Sequence, residues 1–181
     1  MNERISAHFI LLAYFAFLVI PLNVYLIGER LGAGIQWAFF RYQDSFMGSS
    51  LIPVTRDFEY VILGFYTGKS ALMVYLWCAG IVVLLLFMII LLVRWNMVPF
   101  KPELYGIGLV ISGLLFLASS IAQYGITFSG PAGFVVPFGV LIMIGVGGWI
   151  WWQGRMEEGE EDREIQVDNN EESDEAGEDP V

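Results

Sequence analysis

The sequence is poor in the residues that build metal and redox centres. Its 181 residues include one cysteine, Cys78, and one histidine, His8. A single cysteine excludes an intramolecular disulfide framework and any Cys-rich zinc or iron–sulfur site. A single histidine excludes a multi-histidine metal centre. Charge is scarce as well: 15% of the residues are charged, against about 25% in soluble domains. No phosphate-binding glycine loop, dinucleotide fingerprint, nucleophile elbow or CxxC is present. These absences lead us to expect no cofactor, no metal and no enzymatic activity.

What is abundant is apolar. Hydrophobic residues make up 56% of the chain and the mean hydropathy is +0.63, a balance typical of membrane proteins. The net charge of -10 is unevenly divided. Residues 156–181 hold thirteen of the nineteen acids and one base, Arg163, whereas the first 155 residues hold six acids and eight bases. A nearly neutral apolar body therefore carries an acidic tail.

A helix needs about 20 apolar residues to cross roughly 30 Å of hydrocarbon. Residues 5–28 contain no Asp, Glu, Lys or Arg and one histidine, His8, and residues 70–93 carry no charge. The uncharged stretch 104–154 is too long for one crossing, and Ser129-Gly130-Pro131 supplies a break. The expected fold is all-α, with four transmembrane helices near 6–27, 71–94, 104–127 and 132–153. An outer loop of 43 residues (28–70) joins the first two, and a disordered acidic tail occupies 156–181. Arg94 and Lys101 lie in the short connection between spans 2 and 3, which points to a plasma-membrane protein with both termini cytoplasmic. Trp95, Trp149, Trp151 and Trp152 would mark the interface at that end.

Close helix contact in lipid needs small residues. Gly106, Gly113, Ser120 and Thr127 recur every seven residues, a seam expected to face Gly145 and Gly148 of the last span. Ser112, Ser119, Ser120 and Gln123 form the polar face of span 3. That face is either interhelical glue or the lining of a narrow pathway. No Asp, Glu, Lys or Arg sits within a span, which argues against proton- or sodium-coupled transport.

The outer loop holds the remaining chemistry. Ile35, Phe39, Tyr42 and Phe46 have helical spacing, and Trp37, Phe40 and Arg41 widen them into an aromatic, partly basic surface. A second short helix is expected after Pro53, with Thr55 as N-cap, Asp57 and Glu59 in its first turn, and Phe58, Ile62 and Phe65 on its apolar face. Arg41, Asp44, Arg56, Asp57 and Glu59 are a minimal acid–base set. Helix caps and surface ion pairs give the same composition, so the loop reads as an interaction surface rather than a catalytic site.

The expected function is that of a non-catalytic membrane protein, a scaffold or accessory subunit of a larger complex. The alternative is a passive small-solute or ion permeation subunit using the polar face of span 3. The partners expected are the lipid bilayer, other membrane subunits or a second copy, and a basic protein for the tail. The sign of the tail's charge disfavours nucleic acid.

Overall fold

The computed structural model describes residues 7–28, 31–94, 101–131 and 133–175. Its elements run α1 (Ala7–Val19), β1 (Asn23–Ile27), β2 (Gly32–Gln36), β3 (Phe40–Ser45), β4 (Gly48–Pro53), α2 (Val54–Ile62), α3 (Lys69–Val93), α4 (Pro102–Tyr124), β5 (Ser129–Gly130), β6 (Gly133–Val136) and α5 (Phe138–Glu175). The strands form one antiparallel sheet in the order β4-β3-β2-β1-β6-β5. The sheet draws β1 from the segment after α1 and β6 from the segment before α5, so it joins two halves of the chain that are distant in sequence.

The all-α, four-span expectation is therefore corrected. Two described helices are long and apolar enough to cross a membrane, Lys69–Val93 and Pro102–Tyr124. The 13 residues of α1 span about 20 Å at 1.5 Å per residue, short of the roughly 30 Å of hydrocarbon. Pro21 supplies no amide proton for a continuing helix, and the chain beyond it becomes β1, whose residues alternate between buried and exposed. The expected fourth span begins as strand β6, and the uncharged part of α5 ends at Gly154. Seventeen residues, 138–154, cover about 25 Å.

The loop helix expected around residues 35–46 is also corrected. Ile35 and Tyr42, placed on one helical face by spacing, are instead cross-strand partners in β2 and β3. Residues 40–45 alternate in exposure along β3, the period of a strand. Phe46 and Met47 form a two-residue hairpin loop, where Gly48 takes φ +108°. The Ser45 hydroxyl donates to the Gly48 carbonyl at 3.2 Å and accepts from the Met47 amide at 3.3 Å. The second loop helix is present as α2, but it starts at Val54, and Pro53 rather than Thr55 occupies the N-cap position.

The tail expected to be disordered continues α5 to Glu175; residues 176–181 lie outside the described residues, as does Trp95. Helix nucleation is the costly step and propagation is cheap. A glutamate-rich segment that extends an already packed helix needs no nucleus of its own.

The core runs along the bundle axis. Ile10, Tyr14, Leu84, Leu109, Phe116, Met143 and Ile150 are fully buried in it. Trp77 and Phe116 meet with ring centroids 4.5 Å apart. Polar ties join the sheet to this bundle: Trp77 Nε1 donates to the Ala38 carbonyl in the β2–β3 turn at 2.9 Å. The Leu22 carbonyl accepts from the Gly139 and Val140 amides at 3.1 and 3.4 Å, satisfying two donors at the start of α5.

Candidate functional site

The sheet presents two unlike faces. Its inner face meets the helices and carries polar side chains. Asn23, Gln36 and Arg41 are neighbours across β1, β2 and β3. Arg41 Nη2 meets Asp57 Oδ1 of α2 at 2.8 Å, with the two side chains 15% and 10% exposed. Asn23 Nδ2 donates to Ser120 Oγ of α4 at 3.0 Å and lies 3.5 Å from Gln36 Oε1. Tyr25, two residues on, lies across Gly34, where a Cβ would collide with its ring and hydroxyl. Below it Tyr25 packs on Tyr124 and Val135. A polar junction is thus buried between sheet and bundle.

Burial sets the electrostatics of this junction. It pushes the Asp57 carboxyl above the ordinary carboxylate range, outweighing the opposite pull of Arg41. It also pushes the Tyr25 hydroxyl up, against the influence of Arg41. Burial lowers the Arg41 guanidinium, but Asp57, Tyr25 and Tyr66 more than offset it and the net direction is upward. The folded protein therefore takes up the Asp57 proton at a higher pH than the unfolded chain does. Stability from this group is fully present below the unfolded carboxylate pKa and is lost as pH rises through the folded value. Asp57→Asn removes that titration, so the wild type should lose stability relative to the variant as pH rises through the acidic range. Thermal unfolding of both proteins across that range checks it, and a difference that grows in favour of the wild type would contradict the assignment.

The residues singled out in the sequence fall in four places. Arg41 and Asp57 come together in the junction, whereas Asp44 lies on the outer sheet face. Arg56 is exposed on α2 and donates from Nε to the Tyr60 hydroxyl at 2.9 Å; Glu59 is exposed on the same helix. Trp37 and Phe40 stack at 4.9 Å across the β2–β3 turn. The five charged residues do not converge on one site.

The three serines of α4 are engaged with backbone. Ser112 donates to the Gly80 carbonyl and Ser119 to the Met73 carbonyl, both at 2.8 Å and both buried. Ser120 donates to the Phe116 carbonyl at 3.0 Å while accepting from Asn23. Gln123 is half-buried near the end of α4, one residue before Tyr124 and two before Gly125, whose φ of +86° ends the helix. The period-seven seam divides. A Cβ on Gly106 would stand 2.5 Å from Trp151 N and 2.6 Å from Gly147 O, and one on Gly113 would stand 2.6 Å from Ile144 Cγ1. Ser120 instead faces β1, and Thr127 lies past the helix end, bonded to the Ser129 carbonyl at 3.0 Å. Gly145 and Gly148 face open space; Gly147 makes the contact with α4.

Sequence reasoning missed Tyr25, Gln36 and Tyr66 as members of the junction. The available signal was the break at Pro21 followed by the polar Asn23, which ends a span early but does not by itself distinguish the strand that follows.

The outer face of the sheet carries a row of apolar side chains, with Asp44 and Ser49 toward the hairpin end, where water-facing antiparallel sheets are mostly polar. Val24, Leu26, Tyr42, Leu51, Phe134 and Val136 are all exposed there. Their register is continuous: Val24 pairs with Ile35, Ile35 with Tyr42 and Tyr42 with Leu51, while Val136 and Phe134 pair with Val24 and Leu26. Phe46 and Met47 extend this surface at the hairpin tip. No protein-family model matches the chain, and no curated protein matches its sequence.

Proposed function

We propose that this protein is a non-catalytic membrane scaffold or accessory subunit, held in the bilayer through α3 and α4 and docking another membrane protein on its sheet. The observation that carries the docking is the continuous exposed apolar row on the outer sheet face, from Phe134 and Val136 through Val24 to Tyr42 and Leu51. Apolar surface of this extent marks an interaction site rather than a solvated one.

The bilayer reading rests on how α3 and α4 distribute polarity. Leu72, Val82, Leu86, Ile89 and Leu92 of α3 and Ile107, Ile111 and Leu114 of α4 are exposed, while Ser112 and Ser119 are buried. Hydroxyls inside and aliphatic groups outside suit hydrocarbon surroundings. Arg94 and Lys101 at the far end from the sheet favour a cytoplasmic position for that end, with the sheet on the opposite side. The permeation alternative has less support, because Ser112, Ser119 and Ser120 direct their protons to backbone carbonyls.

Cells expressing the protein should retain it in the membrane pellet after an alkaline carbonate wash. In a Cys78→Ala background, Ser49→Cys should react with an impermeant thiol reagent on intact cells. Isolation in mild detergent should yield a stoichiometric partner, lost when Leu26 and Phe134 are changed to Ser. Release by carbonate would refute the membrane anchor, and an unchanged partner yield from the Leu26→Ser/Phe134→Ser variant would refute docking on the sheet.

A further inference from the structure

Three fully buried polar atoms on the inner sheet face have no hydrogen-bond partner among the described residues: Asn23 Oδ1, Tyr25 Oη and Arg41 Nε. Asn23 is 2% and Tyr25 4% exposed. A buried polar group left unsatisfied costs about 1–3 kcal/mol, so three in one junction call for a ligand. Their chemistry is mixed. Arg41 Nε–H is a donor, Asn23 Oδ1 an acceptor, and the Tyr25 hydroxyl is both. A cation is repelled by the guanidinium, and an anion by the Asp57 carboxylate that already pairs with it. A neutral molecule that both donates and accepts fits all three.

Size narrows the choice. A cavity of about 10 Å³ is lined by Gln36, Arg41 and Asp57 together with the apolar walls of Trp37, Phe40 and Trp77. A buried water needs about 10–15 Å³ of such space and two to four polar partners, so the cavity has room for about one. Gln36 and Arg41 are cross-strand partners, and Gln36 in turn pairs with Asn23. Tyr25 reaches over Gly34 toward β3, which brings its hydroxyl to the same side as the Arg41 stem. Of the three residues with unpartnered atoms, Arg41 lines the cavity, while Asn23 is the cross-strand partner of its neighbour Gln36 and Tyr25 lies over Gly34 on the same sheet face.

We propose that the sheet–bundle junction is a built water site: one water molecule bound beside Arg41 and Gln36, accepting from Arg41 Nε–H and donating its two protons to the Tyr25 hydroxyl oxygen and Asn23 Oδ1. Through Asn23 and Ser120 this water connects the Arg41–Asp57 pair of the sheet and α2 to the backbone of α4. It acts as a hydrogen-bonded joint between the two layers and is independent of whether the bundle lies in lipid.

Radiolytic hydroxyl labelling tests the site, because radicals formed from a bound water oxidise side chains that bulk solvent does not reach. The purified protein is pulsed in ¹⁸O-water and read by peptide mass spectrometry. Tyr14 is the internal control, since it is fully buried and its hydroxyl already donates to the Tyr105 carbonyl at 2.8 Å. Tyr25 is expected to be oxidised at least several-fold faster than Tyr14, and to gain ¹⁸O more slowly than exposed tyrosines after solvent mixing. In the double variant Arg41→Met/Asp57→Leu, the Tyr25 yield should fall toward the Tyr14 level. Equal yields for Tyr25 and Tyr14 in the wild type would overturn the proposal. So would a Tyr25 yield unchanged in a folded double variant, because the water would then not depend on Arg41.

Discussion

Asp57→Leu is expected to destabilise the protein by about 3–5 kcal/mol, the typical cost of removing one member of a buried ion pair. The reason lies in what remains. Arg41 would stay in the junction with its side chain 15% exposed, and a guanidinium does not shed its proton under ordinary conditions. The reciprocal change, Arg41→Met, should cost less. Asp57 then neutralises itself by binding a proton, which burial already favours. The order of the two single variants is therefore as informative as their size. The double variant Arg41→Met/Asp57→Leu should recover to within about 1 kcal/mol of the wild type, since buried pairs often give little net stability against apolar replacements. Denaturant or thermal unfolding in detergent measures all three. If Asp57→Leu lies within about 1 kcal/mol of the wild type, the pair does not hold α2 to the sheet.

That pair also shows where the sequence was legible and where it was not. Arg41 and Asp57 stood out as charged residues in an apolar loop, but sixteen positions separate them. Their meeting depends on β3 pairing with β4 and on α2 folding back over the inner face. Helices α3 and α4 were readable because charge-free stretches of sufficient length fix them: Lys69 and Arg94 bracket one, and Glu103 opens the other. The sheet was not readable by the same signal. Val24, Leu26, Phe134 and Val136 make its outer face apolar, so β1 and β6 lack the apolar–polar alternation that marks a half-solvated strand. Continuous apolar runs do not distinguish strand from helix by periodicity. Hydropathy therefore merged β1 with α1 and β6 with α5 and produced four helices of spanning length. The helical spacing of Ile35, Phe39, Tyr42 and Phe46 had the same origin, because apolar residues are dense enough in this chain to satisfy several periods at once. In the tail, composition gave the charge correctly but not the backbone, since a packed helix upstream supplies the nucleus that an isolated acidic peptide lacks.

The seam between α4 and α5 sets a second large effect against two near-silent ones. Sequence spacing grouped Gly106, Gly113, Gly145 and Gly148 as equivalent small residues, yet their surroundings differ. A side chain on Gly106 would enter the backbone of α5, at Trp151 N and Gly147 O, and neither atom can move without displacing the helix. Overpacking typically costs about 1–3 kcal/mol. Because the opposing atoms here are main chain, Gly106→Leu should reach or exceed the upper end of that range. Gly113→Leu meets Ile144 Cγ1, a side-chain atom able to change rotamer, and should cost less. Gly145→Leu and Gly148→Leu meet nothing within 4 Å. Both should be neutral or stabilising, since replacing a helical glycine with a better helix former gains up to about 1 kcal/mol. Thermal unfolding of the four variants in one detergent gives the ranking directly. A loss for Gly145→Leu or Gly148→Leu comparable with that for Gly106→Leu would mean that those glycines contact something beyond this chain, and the outward face of α5 would then belong to the docking surface. Wild-type stability for Gly106→Leu would instead show that α4 and α5 do not pack backbone to backbone, and the hydroxyl bonds of Ser112 and Ser119 to the α3 carbonyls would be left as the contacts that position α4.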